Sequence, residues 1–375
     1  MKVLICGPAL SEEMEMKAPG ASPAAGKYIR NLVKGLKNNN ALVKTITYVT
    51  IPVNDSKYRV KTLEEDNNIY FFKDKLIFPS MLQFRRKFKK IVDKETIVIF
   101  YNISYSVWGL IDNFKSKGIK SLLILADYTN SIEYNNSIRK FMAKNDEKEF
   151  KKFEYAVILS ANVKKMLNQK CKSLLLEGGI NVNDYLNFNM PIIKNTLVVM
   201  YSGLLSNVTG VNILLEAMQL NNNDNIRLII TGKGELEKNV IEAAKEDKRI
   251  EYLGFVSNKK FYELLAESHV LLNPRNMTLE QNSNNFPSKV LEYLATGRIV
   301  LSTKFAGYEN FVENFIFADV TAYDFSRKMN EIYDKRNEYL LKYYTKNREY
   351  SLKYDWNNQA KKILQLLNDG ESDYE

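Results

Sequence analysis

Residues 284–297 read NNFPSKVLEYLATG, a polar loop that runs into Pro287 and then into a helical pattern. Proline is favoured in the first turn of a helix and glycine just after its end, so the helix should begin near Pro287 and stop at Gly297. The unpaired amides of a helix start, with the helix dipole behind them, favour an anion such as a diphosphate. The segment therefore predicts a phosphate-binding loop that leads into a helix.

Lys289 and Glu292 are three residues apart and share one face of this predicted helix. Lys289 would place a positive charge beside a phosphate, while Glu292 would accept hydrogen bonds from ribose hydroxyls. An ordinary surface ion pair between the two side chains explains the spacing equally well. Spacing alone leaves both interpretations open.

Three more segments place small residues at the end of a strand, where open α/β sheets bind ligands. They are Ser202 and Gly203 after LVVMY, the turn Gly232-Lys233-Gly234 after IRLII, and Gly254 with Phe255 after EYL. Phe255 offers an aromatic surface for a base. A tight turn between a strand and a helix is the simpler explanation of a Gly-x-Gly pattern, so that turn is weak evidence by itself.

Short apolar runs alternate with helical stretches in both halves of the chain. They are VLIC at 3–6, TIVIF at 96–100, LLILA at 122–126, AVILS at 156–160, LVVMY at 197–201, IRLII at 226–230, HVLL at 269–272 and IVLS at 299–302. Near-continuous apolar strands of this kind predict parallel sheets covered by helices on both faces, in Rossmann-like α/β domains.

A polar, proline-containing stretch at 186–196 lacks periodicity and predicts a linker. We therefore expect two domains, 1–190 and 191–354, with the boundary near residue 190. The tail at 355–370 has the pattern of one amphipathic helix that stops at Gly370.

The order of these segments resembles the carboxyl half of glycosyltransferase family 4 over about residues 195–305. The shared pieces are the Ser-Gly strand end before Leu-Leu-Glu-Ala at 202–217, the Gly-x-Gly turn at 232–234, the Leu-Gly-Phe turn at 253–255, and the donor loop with its glutamate at 284–292. The donor loop is similar to the family's Phe-Pro-Ser-Lys branch. The resemblance implies the GT-B fold, in which two Rossmann-like domains face each other across a cleft. The first domain, completed by the tail helix, would bind the acceptor, and the second would bind a nucleotide-sugar.

The resemblance also implies which residues form the site. Lys289 would be catalytic, together with Asp127 near the acceptor, and the small-residue segment PGASPAAG at 19–26 would be an acceptor-side loop through Ala24, Ala25 and Gly26. The implied donor-binding residues are Ser202, Gly203, Gly232, Lys233, Phe255, Asn284, Asn285, Phe286, Pro287, Ser288, Val290 and Glu292.

The sequence departs from the family in its phosphate-binding positions. The family usually has an arginine after the Ser-Gly turn and a lysine before the next glycine, where this chain has Leu204 and Thr209. Its first donor-loop glutamate matches Asn284, and its amino-domain His-Asp pair reads Ala126-Asp127. Lys289, Lys233 and Arg275 are candidates to replace the missing charge.

Two functions follow from these matches and departures. The first is a retaining, metal-independent hexosyltransferase that moves a sugar from a nucleotide-sugar to a glycan, glycolipid or protein-linked acceptor in bacterial surface polysaccharide or glycoconjugate synthesis. The alternative is a non-catalytic binding partner or subunit with the same fold, and the test is whether other cations converge on the phosphate site. A nucleotide-sugar epimerase is a third option, against which the Phe-Pro-Ser-Lys loop argues.

Missing motifs and the few histidines and cysteines exclude several classes of functional site. The chain contains neither an Asp-x-Asp pair nor a P-loop, and its one histidine, His269, begins an apolar run, so we expect no metal, no other cofactor and no histidine-dependent triad. Cys6 and Cys171 form neither a zinc cluster nor a disulfide framework. No apolar run reaches membrane-spanning length and the start does not suit a signal peptide, which predicts a cytoplasmic protein.

Lysine and arginine outnumber acidic residues by 54 to 44, a net charge of +10 that favours anionic partners. The segment FPSMLQFRRKFKKIV at 78–92 combines aromatic and basic residues. It predicts either a peripheral contact with the inner face of the membrane or a solvated helix that packs its aromatic stripe on the core. No recognition motif accompanies it, so nucleic acid is not an expected partner.

Overall fold

The computed structural model describes residues 1–73, 77–126, 128–279, 282 and 286–368. The chain divides into two compact units. Met1–Gly179 together with the tail from Asp355 onward forms the first, and Ile180–Tyr354 forms the second.

The first unit is built on an eight-stranded sheet of order β3-β4-β2-β1-β5-β6-β7-β8. The strands are β1 Lys2–Cys6, β2 Leu42–Val49, β3 Thr62–Glu65, β4 Asn68–Phe72, β5 Thr96–Tyr101, β6 Ser121–Leu125, β7 Tyr155–Ile158 and β8 Lys172–Leu175. All neighbours pair in parallel except β3 with β4. Every residue of β5 is buried, as expected for a central parallel strand covered on both faces.

Helices cover this sheet. They are α1 Glu12–Met16, α2 Pro23–Asn38, α3 Ile77–Ile91, α4 Leu110–Lys115 and α5 Ser137–Phe150. Phe84 and Phe88 of α3 are fully buried and join the main core of the unit with Phe100 and Phe114. The aromatic stripe of segment 78–92 therefore packs on the core, although Phe78 at its start stays exposed.

The second unit has a six-stranded parallel sheet of order β11-β10-β9-β12-β13-β14. Its strands are β9 Leu197–Ser202, β10 Ile226–Thr231, β11 Ile250–Tyr252, β12 Val270–Asn273, β13 Ile299–Thr303 and β14 Ile316–Ala318. Its helices are α6 Val211–Leu220, α7 Glu237–Glu246, α8 Asn258–Glu267, α9 Lys289–Thr296, α10 Ala322–Asp334 and α11 Arg336–Ser351. A separate core fills this unit.

All eight apolar runs are strands of these two sheets, which confirms the α/β class with parallel sheets. Helix α9 ends at Gly297 in the left-handed conformation, with φ 69°, where the sequence predicted its stop. The helix begins at Lys289, two residues after Pro287.

The unit boundary lies earlier than the sequence predicted, between Gly179 and Ile180 instead of near residue 190. The reason is side-chain packing. Tyr185 lies with its ring centroid 5.7 Å from that of Tyr262 on α8. Nη1 of Arg348 on α11 donates to the carbonyls of Tyr185 at 3.1 Å and Phe188 at 2.8 Å. These contacts place residues 180–190 in the second unit.

The last helix, α12 Trp356–Asn368, belongs to the first unit and packs on α2. Gly35 of α2 allows the close approach, since a Cβ there would overlap the carbonyl oxygen of Trp356. Nδ2 of Asn38 donates to Oδ1 of Asn357 at 2.7 Å. The Trp356 side chain is 4% exposed and lies over Gly179.

The segment predicted as an acceptor-side loop is only partly a loop. Ala24, Ala25 and Gly26 lie in the first turn of α2, which begins at Pro23 and is capped by Ser22, whose Oγ accepts from the Ala25 amide at 3.4 Å. Proline at the first helical position and serine before it are both helix-start signals, and they override the small-residue composition.

No helix in the described parts of the chain has the length and apolar character needed to cross a membrane.

Candidate donor site in the second unit

Lys289 is the first residue of α9, and its ammonium group lies at the carboxyl end of β9. Nζ donates to the Ser202 carbonyl at 2.9 Å and to Ser202 Oγ at 3.0 Å, and it lies 5.0 Å from the ring centroid of Phe261. The ammonium group of Lys289 therefore lies at the start of α9 and at the end of β9. An anion bound there would lie at the positive end of the α9 helix dipole and beside the charge of Lys289.

Glu292 lies one turn further along α9 and contacts a tyrosine that the sequence assigned to the other domain. Its carboxylate accepts a hydrogen bond from the Tyr185 hydroxyl, which also hydrogen-bonds to Tyr262. Burial, with the charge of Glu292, raises the pKa of Tyr185 well above its usual value. Tyr185 therefore stays protonated and holds the Glu292 carboxylate in position.

Glycines let three turns come together at this edge of the sheet. Gly232 has φ 129°, and a Cβ there would overlap the Gly203 carbonyl oxygen. The Gly203 amide donates to Thr231 O at 3.1 Å, and the Gly232 amide donates to Gly254 O at 2.8 Å. The turns after β9, β10 and β11 are thus joined by main-chain contacts that only glycine allows at position 232.

Lys233 and Phe255 lie beside each other at the rim of these turns. Lys233 Nζ is 5.4 Å from the Phe255 ring centroid, and the Phe255 side chain is 66% exposed. An exposed aromatic ring of this kind offers a flat surface for stacking.

The donor-loop side chains divide into buried and exposed. Phe286 is buried, with ring centroids 5.5 Å from Phe305 and 5.9 Å from Phe311. Pro287 and Val290 are also buried, so any contact of these three residues with a ligand would involve the main chain. Ser288 is exposed. Asn284, Asn285 and the Asp127 of the first unit lie outside the described residues.

In the first unit, Gly26 faces Glu15 of α1, and a Cβ at Gly26 would overlap Oε1 of that carboxylate. Arg30 Nη1 donates to Glu15 Oε1 at 2.7 Å and to Leu10 O at 2.8 Å. Packing against Glu15 therefore explains why position 26 is a glycine, independently of any role in acceptor binding.

His269 is a packed residue at the start of β12. Its Nδ1 accepts from the Val198 amide at 2.9 Å, and burial together with the charge of Arg298 lowers its pKa to about 4. His269 is thus a neutral, packed residue that accepts a hydrogen bond from a main-chain amide.

Solved structures resemble the whole chain. A sucrose-phosphate synthase from Thermosynechococcus elongatus has a TM-score of 0.73 at 13% identity, covering 99% of each chain. The Anabaena protein HepE in complex with UDP has a TM-score of 0.70 at 13% identity, covering 98% of this chain and 100% of that one. The chain has the GT-B fold. The apo form of the lipopolysaccharide outer core galactosyltransferase WaaB shares this fold, with a TM-score of 0.67 at 13% identity and coverage of 99% and 100%.

The part of this GT-B chain that matches a family model lies in the second unit and includes Lys289 and Glu292. Residues 196–335 match the family model of glycosyl transferases group 1. No curated protein matches the sequence significantly.

Two tyrosines at this candidate site were not identified from the sequence. Tyr185 was assigned to the other domain, and Tyr293 follows Glu292 in a helix whose periodicity marks it only as a core residue. A hydrogen bond joins the Tyr293 hydroxyl to the main chain of Ser202. A buried tyrosine next to a predicted site residue is the signal that could have identified it, since a buried hydroxyl needs a partner.

Proposed function

We propose that the chain is a glycosyltransferase that moves a sugar from a nucleotide-sugar to a glycan, glycolipid or protein-linked acceptor. The observation that carries the proposal is Lys289, whose ammonium lies at the start of α9 and is held at the end of β9 by Ser202. The group 1 match over the same residues and a neighbour in complex with UDP support a nucleotide-sugar donor.

The proposed reaction retains the configuration of the transferred hexose and needs neither metal nor other cofactor. The bond from the sugar carbon to the diphosphate oxygen breaks, a bond to the acceptor oxygen forms on the same face, and the acceptor proton passes to the departing diphosphate. Lys289 and the amides at the start of α9 would stabilise the charge on that diphosphate, which is commonly the largest contribution of a site to catalysis. Glu292 would bind the ribose hydroxyls, and Phe255 would stack on the base.

The proposal assigns the chain to the Phe-Pro-Ser-Lys branch of glycosyltransferase family 4, and the donor-loop residues Phe286 to Lys289 support this assignment. Its biological role would be bacterial surface polysaccharide or glycoconjugate synthesis. The structural likeness to WaaB, a lipopolysaccharide galactosyltransferase, supports that role.

Thermal unfolding with nucleotides tests the donor site, because a ligand that binds only the native state raises the unfolding midpoint. We expect a shift with one among the uridine, guanosine, thymidine and adenosine diphosphates and their sugars. Glu292→Ala should abolish the shift. Glu263→Ala is the matched control, since Glu263 lies in an exposed ion pair with Lys260 on α8.

The alternative function is that of a binding partner or subunit that has lost catalysis. It is suggested by Leu204 and Thr209, which are uncharged where the resembled family has an arginine and a lysine. A protein that is only a partner or subunit would show no shift with any nucleotide or nucleotide-sugar. A shift without sugar transfer to any acceptor, and without donor hydrolysis, would leave it as a nucleotide-sugar-binding subunit. Activity that persists in a chelator would support the metal-independent reaction.

A peripheral contact with the cytoplasmic face of the membrane is the second part of the proposal. The aromatic stripe of α3 is used in the core, but Arg86, Lys89 and Lys90 are exposed, and Phe78 is 65% exposed at the start of the helix. A basic face with an exposed aromatic residue suits an anionic lipid surface.

Co-sedimentation with vesicles of phosphatidylglycerol and phosphatidylcholine tests this contact. We expect binding that weakens with salt and with K89E/K90E. The control K238E/K245E makes the same charge change at exposed residues of α7. Equal binding by both double variants would contradict a contact through α3.

A further inference from the structure

The turn between β9 and α6, residues 203–210, carries no positive charge of its own. Its sequence is GLLSNVTG. Oγ1 of Thr209 donates to the Leu204 carbonyl at 2.6 Å, and the Leu204 side chain is 59% exposed. A nucleoside diphosphate that meets this turn and the start of α9 brings more negative charge than Lys289 can balance.

The loop after β12 lies directly against this turn. The Asn276 amide donates to Val208 O at 3.2 Å. Gly210 allows the contact, because a Cβ there would overlap the carbonyl oxygen of Pro274. Asn282 Nδ2 donates to Val208 O at 2.8 Å and to Asn276 O at 2.7 Å, so the loop and the turn share one bridging side chain.

Arg275 lies between the two contact points of that loop. Its main chain is fixed, since Thr303 Oγ1 donates to the Arg275 carbonyl at 2.8 Å. Its side chain lies within electrostatic reach of the Tyr201 hydroxyl. Burial raises the pKa of Tyr201 to about 12, while a hydrogen bond with Thr209 and the charge of Arg275 act in the opposite direction. The Tyr201 hydroxyl donates to Leu204 O at 2.7 Å, so the charge of Arg275 acts on a hydroxyl that is bonded to turn 203–210. The contacts of Pro274 and Asn276 place the main chain of Arg275 beside the same turn.

We propose that Arg275 binds the donor diphosphate at turn 203–210 and supplies the positive charge that the turn lacks. The inference rests on the proposed glycosyltransferase function and adds a phosphate-binding residue from the loop after β12. Arginine suits this position because its planar guanidinium can donate two parallel hydrogen bonds to phosphate oxygens.

Isothermal titration with UDP tests the proposal, or with GDP, TDP or ADP if one of those is the nucleotide that stabilises the wild type. We expect Arg275→Ala to raise the dissociation constant by about 10- to 100-fold, the usual effect of losing a charge-assisted hydrogen bond. Arg275→Gln, which keeps most of the side-chain volume, should show a similar loss. Arg227→Ala is the control, because Arg227 is an exposed arginine of the same unit that pairs with Glu251.

A second experiment moves the positive charge from position 275 to position 204. In the Arg275→Ala background, Leu204→Arg should recover most of the diphosphate affinity, because it returns a guanidinium to the same turn. The matching nucleoside without phosphate should bind the wild type and Arg275→Ala equally well. A folded Arg275→Ala and Arg275→Gln pair with wild-type affinity for the diphosphate would overturn the assignment, as would an equal loss for the nucleoside. A wild type that binds none of the nucleotides would instead overturn the proposed function itself.

Discussion

Lys289 links two elements through a single side chain, because it starts α9 and donates twice to the last residue of β9. These bonds hold the ammonium near the strand end before any ligand arrives. A ligand phosphate would then meet a charge already in place, which lowers the cost of reorganisation during catalysis.

Lys289→Ala should lower turnover of the donor by about tenfold or more, the scale seen when one charge-stabilising donor is lost. Initial rates of nucleotide release from the donor sugar measure it. Lys245→Ala, at an exposed position of α7, is the control and should leave the rate unchanged. Near-normal turnover in a folded Lys289→Ala protein would refute the catalytic assignment.

Asp146 of α5 provides a pH-dependent prediction in the first unit. It accepts a hydrogen bond from Trp108 Nε1 at 2.6 Å, and burial raises its pKa to about 6. The folded state therefore holds this proton more tightly than the unfolded state, whose carboxyl has its ordinary pKa near 3.8. The contribution of Asp146 to stability is present below that ordinary pKa and is lost as the pH rises through about 6.

Asp146→Asn should accordingly raise the unfolding midpoint at pH 7.5 and leave it nearly unchanged at pH 4. Asparagine keeps an acceptor for Trp108 without the charge. Midpoints measured across this pH range test the prediction, with Asp334→Asn, at an exposed carboxylate at the end of α10, as the control. A lower midpoint of Asp146→Asn at pH 7.5 would contradict it.

At the scale of elements, the proposed donor site is formed by strand ends that approach each other closely at glycine residues. Gly232→Ala would force a side chain into the Gly203 carbonyl at φ 129°. We expect it to lower the free energy of unfolding by about 2 kcal/mol or more and to abolish nucleotide binding.

Chemical denaturation and nucleotide titration measure both effects of Gly232→Ala. Gly118→Ala is the matched control, since Gly118 has φ 68° and open space around its Cβ position. It should cost only about 1 kcal/mol, from the backbone conformation alone. Equal losses in the two variants would show that the close approach to Gly203 has no role.

The sequence predicted an element well where one segment contained both the periodicity of a helix or strand and the residues that mark its start and end. Segment 284–297 has proline, a helical stripe and glycine in order, and α9 follows that pattern. Strands β3 and β8 lie at the sheet edges with partly exposed residues, so they lack the apolar runs that identify the central strands. Tyr185 was assigned to the other domain because local patterns do not reveal on which core a turn will pack. Arg275 was recognised only as one candidate charge among three, since its place beside turn 203–210 depends on contacts between distant segments.

At the scale of the whole molecule, the first unit depends on a helix from the far end of the chain. Trp356 of α12 is 4% exposed and packs edge-to-face on Tyr28 of α2, with ring centroids 4.7 Å apart. Its removal would leave a cavity between the two helices.

Trp356→Ala should lower the unfolding free energy of the first unit by about 3–5 kcal/mol, the usual cost of truncating a buried aromatic residue. Urea denaturation followed by circular dichroism measures the loss, and nucleotide binding in the absence of urea should persist because the proposed donor site lies in the second unit. Leu341→Ala, at a side chain 69% exposed on α11, should change stability by less than about 0.5 kcal/mol. An unchanged transition for Trp356→Ala would show that α12 contributes little to the first unit.

The position of α12 also has a consequence for the order of events on the ribosome. Domains usually fold in the order in which they are synthesised, at roughly 5–20 residues per second. Here Ile180–Tyr354 is continuous and can fold as one piece, whereas the unit begun at Met1 must wait for α12. Translation of that intervening stretch takes roughly 10–30 seconds at this rate. The unit made first is therefore the unit completed last, and the face of α2 that receives Trp356 remains uncovered during that interval.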